Sequence, residues 1–171
     1  AWRREYMGEW VTDATDLVYA WAGARASGVP VTWEPEKTKQ NPSGLPPDLG
    51  PWRYVLGLDL GYVDDSAFVL CAYSEKTQEM RHVYDFKAPG MTMDDFFSEI
   101  FNVIEKYGRP DAIVADTAGG GSKMLVETLN QRYGLGIEPA KKTEKQDHIE
   151  LVNSDFMAGR IKIIAGSDLA H

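Results

Sequence analysis

A chain of 171 residues is long enough for one domain with a hydrophobic core plus a short appendage, and too short for two large domains. Its 43% hydrophobic share and scattered aromatics exclude intrinsic disorder, and no apolar run approaches the roughly 20 residues that cross a bilayer. The net charge of -8 speaks against a nucleic-acid surface built on bulk positive charge, unless the acids are grouped to hold divalent cations that present their own charge to a phosphate.

The N-terminus, Ala1-Trp2-Arg3-Arg4-Glu5-Tyr6, lacks the apolar core and small-residue cleavage site of a secretory signal. Residues 1–22 mix aromatics with charges, and Gly23 to Thr38 shows no clear period, so this stretch reads as irregular. Asn41 to Pro51 concentrates Pro, Gly and Asn, which marks a linker and starts the main domain at about Trp52. The expected division is therefore 1–51, a segment and linker, and 52–171, the folded domain.

Arg53 to Leu60, Ala67 to Tyr73 and Met80 to Phe86 read as three strands with short polar connections, hence an antiparallel meander with Gly61 and the Asp64-Asp65 pair in its first turn. Cys71, the single cysteine, lies in the second strand and has no internal partner, which fits a reducing compartment. Thr92 can cap a helix whose N-terminal end suits Asp94 and Asp95, and Phe96, Phe97, Ile100, Phe101 and Ile104 recur at helical spacing until Gly108. The three phenylalanines read as core. Asp111 to Asp116 is a short apolar strand, and Gly119-Gly120-Gly121 opens a helix ended near Gly134. Ile137 to Ala140 reads as a strand. Thr143 and Gln146 have the form of a capping box for a helix burying Ile149, Val152 and Phe156, and Arg160 to Ile164 is a last extended piece. A meander followed by alternating helices and strands predicts an α/β layered sheet with helices on its faces.

Asp59 and Asp116 each end a strand among apolar neighbours, where a carboxylate needs compensation. If the first and fourth strands are neighbours, the two acids converge, and converging carboxylates are relieved by a shared proton or by divalent cations. An all-oxygen site suits magnesium or manganese; zinc would want His or Cys, and His82, His148 and His171 show no ligand spacing. Lys141, Lys142 and Lys145 form a basic cluster that is either a solvated loop or a DNA backbone contact. Ser122 has no histidine placed to activate it.

Leu56-Gly57-Leu58-Asp59-Leu60-Gly61 with Asp64-Asp65-Ser66-Ala67, and Ile113 to Gly121 around Asp116, resemble the first two acidic motifs of phage large-terminase nuclease domains. Their separation of 57 residues agrees, Asn153 to Lys162 is similar to the segment before that family's final strand, and Arg4 to Trp10 resembles the end of the packaging ATPase domain. The resemblance implies a ribonuclease H-like α/β fold with a mixed sheet, and a DNA endonuclease using two magnesium or manganese ions. It makes Asp59 and Asp116 metal ligands and Asp65 a further catalytic candidate beside them. It implies double-stranded DNA, the terminase ATPase domain, the small terminase subunit and the portal protein as partners, no membrane, and the host cytoplasm as location.

In that family a third acidic ligand follows the last strand on a helix, so the chain, ending at His171, is expected to be C-terminally incomplete. Asp147, Asp155 and Asp168 are nearer alternatives, the first two on a helix whose solvated face explains them more simply. A Holliday-junction resolvase or transposase core and a catalytically silent portal-docking module remain open. An actin-like ATPase shares the Leu-Asp-Leu-Gly and Gly-rich motifs, but 57 residues are too few for the half-domain it places between its phosphate loops, and the full Gly-x-x-x-x-Gly-Lys-Ser/Thr pattern is absent around Lys123.

Overall fold

The structure, a computed structural model, describes residues 19–61, 65–117, 120–141, 143 and 145–167. Among them are helices α1 (Trp21–Ala26), α2 (Met93–Tyr107), α3 (Gly120–Tyr133) and α4 (Lys145–Met157). The strands are β1 (Thr32–Trp33), β2 (Trp52–Asp59), β3 (Ser66–Ser74), β4 (Met80–Ala88), β5 (Ala112–Asp116), β6 (Ile137–Pro139) and β7 (Ile161–Ile164). They form one sheet in the order β1-β7-β4-β3-β2-β5-β6. The meander β2-β3-β4 is antiparallel, while β5 and β6 extend it in parallel on one side and β7 and β1 on the other.

Alternation along the strands builds the core. Leu56 and Leu58 of β2, Phe68 and Leu70 of β3, and Ile113 and Ala115 of β5 are buried together against Phe96, Ile100 and Val103 of α2 and Val126 and Leu129 of α3. Phe68 meets Phe86 edge-on at 5.7 Å between ring centres, a favoured aromatic geometry. Helix α2 begins in a capping box: the Asp95 amide donates to the Thr92 hydroxyl at 3.3 Å, and the Thr92 amide donates to the Asp95 carboxylate at 2.8 Å. It ends at Gly108, whose φ of 88° suits the residue without a Cβ.

Two expectations need correction. Phe101 is 45% exposed, so only Phe96 is fully in the core, while Phe97 stacks on Tyr133 of α3 with ring centres 3.9 Å apart. Packing also begins before Trp52. The segment without a sequence period carries α1 and β1; Val31, Trp33 and Leu45 are buried, and β1 pairs with β7. A two-residue strand and a six-residue helix are too short to leave a periodic signature, so only their contacts reveal them.

What fixes this segment is Arg81. Its guanidinium lies 5.0 Å from the Trp33 ring centre and 5.6 Å from that of Trp52, and donates to Glu79 at 2.9 and 3.2 Å. The other Glu79 oxygen accepts from Lys162 of β7 at 2.9 Å. Burial alone would raise the Glu79 pKa, but the hydrogen bonds and charges of Lys162 and Arg81 outweigh it and hold the group below its ordinary 4.5. A carboxyl depressed in the folded state contributes stability that is present above its unfolded value and lost as pH falls through the folded one. Glu79→Gln should therefore cost roughly 1–3 kcal/mol at pH 7 and much less at pH 3, measured by urea unfolding at both pH values. An equal loss at the two would refute the account.

Candidate metal centre

Strands β2 and β5 run parallel and in register, with Val55 opposite Ala112 and Asp59 opposite Asp116. Paired positions on neighbouring strands lie about 4.8 Å apart and point to the same face. The face is set by the core: Leu58 and Ala115, one residue earlier, are buried on the helix side, so the two aspartates emerge on the other. Both sit at the carboxyl ends of parallel strands, where open α/β sheets place their sites. Here the burial argument of the sequence is corrected. Asp59 is exposed and Asp116 half-buried, so apolar desolvation is not what these groups need relieved. The relevant cost is proximity: the two acids occupy paired positions on neighbouring strands, and like charges brought side by side repel.

Three other elements frame this edge. Ser122 in the first turn of α3 donates to the Leu60 carbonyl at 3.1 Å, pinning the positive end of α3 to the end of β2; this is its structural role. Ser66 donates to the Gly61 carbonyl at 3.1 Å, tying the start of β3 to the end of β2, which brings Asp65 to the same edge. Asp65 pairs with Lys87 of β4 at 2.9 Å. The register continues across the sheet, with Asp59 opposite Ala67 and Ala67 opposite Lys87, so Asp116, Asp59, Ala67 and Lys87 form one transverse row. Lys87 was missed in the sequence; a β-bulge between Leu70 and Cys71 determines which side of β4 faces this row.

The remaining candidates fall elsewhere. Ala140 donates to the Ala115 carbonyl at 2.8 Å, so the exposed Lys141 leaves the sheet at the edge that carries Asp116. Lys142 and the side chain of Lys145 lie outside the described residues, as do Asp64, Asp168 and the Arg4 to Trp10 segment. Asp155 binds Arg160, with the Nε donor at 2.8 Å, and Asp147 is exposed on α4. His82 is buried, with its Nε2 3.0 Å from Asp85, and burial holds its pKa below the ordinary value despite that carboxylate. Burial likewise pushes the Cys71 thiol up to about 11, which keeps it protonated and unreactive.

Among the described residues no group of three or more His, Cys, Asp or Glu side chains could hold a metal ion. The two paired carboxylates are all-oxygen donors, and a hard divalent cation such as magnesium is commonly held by one or two carboxylates together with waters and substrate phosphates. No described helix is long and apolar enough to cross a membrane.

No family model matches the sequence, and no curated protein matches it significantly. Solved structures do match. The large-terminase nuclease of thermophilic phage G20c with bound magnesium is 20% identical, with 85% of this chain aligned to 74% of that one at a TM-score of 0.59. The P22 large-terminase nuclease domain is 12% identical over 79% of this chain and 68% of its own, at 0.55. The large terminase of another thermophilic bacteriophage aligns with 66% of this chain at 17% identity and 0.53, and this chain spans 28% of its length. The chain thus has the ribonuclease H-like α/β fold of phage large-terminase nuclease domains, as the two acidic segments led us to expect.

Proposed function

We propose that this chain is the nuclease domain of a viral DNA-packaging terminase and hydrolyses phosphodiester bonds of double-stranded DNA with two magnesium or manganese ions. The observation that carries the reading is the in-register pairing of Asp59 with Asp116 at the carboxyl edge of the sheet, in a fold shared with a nuclease solved with bound magnesium. Asp59 and Asp116 would hold the metal, and Asp65, on the same edge, would complete the acidic side. When bound, the metal supplies the Lewis acidity that phosphodiester hydrolysis requires. The protein's own contribution is geometric: the sheet register fixes the two carboxylates, the start of α3 is pinned beside them, and Lys141 stands at the same edge for the DNA backbone. The ATPase domain, small subunit and portal of the packaging machine would supply the rest of the substrate grip, in the host cytoplasm.

The test is nicking of a supercoiled plasmid in manganese. Asp59→Asn and Asp116→Asn should each reduce the rate beyond the roughly 10–100-fold that outer-shell partners of metal sites cost. Without metal Asp59→Asn should melt at the wild-type temperature or higher, because a repulsion is removed; added manganese should raise the wild-type melting temperature and leave that of either variant unmoved. Near-wild-type nicking by either variant would sink the assignment, and preference for four-way junctions over linear duplex would favour a resolvase.

The net charge of -8 generates a second expectation. The isolated chain should bind duplex DNA weakly, without sequence preference, and progressively less as salt rises. Fluorescence anisotropy with two unrelated duplexes checks this; tight, salt-insensitive binding would contradict it.

A further inference from the structure

We propose that Lys123 and Lys141 together grip the DNA backbone on the β6 side of the acidic edge, two phosphate contacts that do not depend on the metal. The inference rests on the nuclease reading and adds to it a second cation, supplied by a different element. The orientation of α3 is fixed by what each of its flanks touches. Gly121, Leu125 and Thr128 line a cavity with Met91, Met93 and Phe96, so that flank faces the start of α2. Val126 and Leu129 are buried in the core under the sheet. The remaining flank belongs to Asn130, whose side chain donates to the Ile137 carbonyl at 2.8 Å and accepts from the Ile137 amide at 2.7 Å, which holds it along β6. Lys123 precedes Asn130 by almost two whole turns and lies about 20° from it around the helix axis, so it occupies the same β6-facing flank. Helix α3 starts at the carboxyl edge, where Ser122 donates to the Leu60 carbonyl at 3.1 Å. Helical Cα–Cβ bonds tilt toward the N-terminus, so the exposed Lys123 leans toward that edge.

Lys141 reaches the same place from the strand. Strand β6 runs parallel to β5 with Pro139 opposite Ala115, and the Ala140 amide bonds the Ala115 carbonyl at 2.8 Å, so Lys141 follows directly at the carboxyl end. The heights agree. From Asn130, level with Ile137, the helix rises about 10 Å to Lys123, and the extended chain rises about 13 Å from Ile137 to Lys141. Glu127 and Glu138, the acids nearest to the pair in sequence, are exposed and lie lower, one turn below Lys123 and three residues before Lys141. A phosphate arriving at the carboxyl edge therefore meets the two ammonium groups first. Duplex DNA carries its charges in a close, regular series, so a backbone seated at Asp59 and Asp116 runs further phosphates past β6, the strand next to β5. Ammonium groups contact phosphate as flexible point charges and need no fixed bidentate geometry, which suits two exposed lysines.

The experiment measures salt-dependent binding by the 171-residue chain and by Lys123→Ala, Lys141→Ala and the double variant, with Lys123→Arg as the charge-conserving control. Lys106→Ala controls for bulk charge, because Lys106 is an exposed cation in the last turn of α2, at the opposite edge of the sheet. A fluorescein-labelled duplex is titrated across sodium chloride concentrations, once in EDTA and once in calcium, and circular dichroism, expected to be unchanged at these exposed positions, checks the fold. One phosphate contact is worth about one unit in the slope of log affinity against log salt. In both media Lys123→Ala and Lys141→Ala should each lower the slope by about one and the double variant by about two, while Lys123→Arg and Lys106→Ala keep the wild-type slope. A wild-type slope for either single alanine variant in EDTA would overturn the proposal, as would a loss with Lys106→Ala as large as that with Lys123→Ala. The nuclease reading fails separately, by absence of manganese-dependent plasmid nicking in the wild-type chain, and the slopes in EDTA decide the role of the two lysines in either case. No measurable binding at low salt overturns the grip.

Discussion

Everything proposed for the acidic edge depends on the register of β2 against β5. A strand that slips by one residue turns every side chain to the opposite face, and a slip here would bury Asp59 or Asp116 under α2 and α3. The apolar row prevents it. Leu56, Leu58, Ile113 and Ala115 are each at most 4% exposed, and fully burying a Leu or Ile side chain stabilises by about 1.5–3 kcal/mol. The opposite end of the pairing is clamped by polar contacts: the Asp111 amide donates to the Tyr54 carbonyl at 2.8 Å, its carboxylate accepts from the Tyr54 amide at 2.9 Å, and Arg53 reaches the same carboxylate at 2.9 Å. The hydrogen bond from Arg53 holds the Asp111 pKa below its ordinary value, so the clamp stays charged through neutral pH. A hydrophobic row and an exposed polar clamp thus align two acids that would otherwise repel.

That alignment was legible in the sequence because it follows from strong local patterns. Leu56-Gly57-Leu58-Asp59 and Ile113-Val114-Ala115-Asp116 are short apolar runs that end on an acid, and the single helix between them required strand order to be resolved but not invented. What the pattern misjudged is the surroundings. Apolar neighbours in sequence alternate between faces in a strand, so they say little about the exposure of the residue that ends it, and Asp59 proved exposed. The early part of the chain was illegible for a different reason. Trp33 and Leu45 are buried through contacts with Arg81, Trp52 and the sheet, partners distant in sequence that no local period encodes.

The charge balance also reads differently once the sheet is in place. A total of -8 argues against a nucleic-acid surface only if the acids are evenly spread. Several are already neutralised in structural pairs: Glu79 with Arg81 and Lys162, Asp111 and Glu75 with Arg53, Asp155 with Arg160. These contacts stitch strands and helix ends together and leave net charge unchanged, but they set a cation against each of those carboxylates, which weakens the repulsion it offers a phosphate. The acids at the β2 and β5 ends lie together at the carboxyl edge, so the repulsion a DNA backbone meets there is local, and local repulsion is what a bound divalent cation reverses.

The bulge in the β3-β4 hairpin shows how finely such an edge is specified. From Tyr73 opposite Met80 to Cys71 opposite His82 the pairing is regular; between Leu70 and Cys71 it shifts by one, so that Leu70 faces Tyr84 and Ala67 faces Lys87. Without the extra residue Ala67 would sit opposite Phe86, and the aromatic ring would project over the acidic row while Lys87 turned toward the helices. With it, Phe86 packs on Phe68 in the core and the ammonium faces the carboxylates. Bulges are enriched beside functional sites because one inserted residue re-aims a side chain without disturbing the strands on either side. In this chain the insertion exchanges a ring for a cation at the position where the row of Asp116 and Asp59 meets the outer strand of the meander.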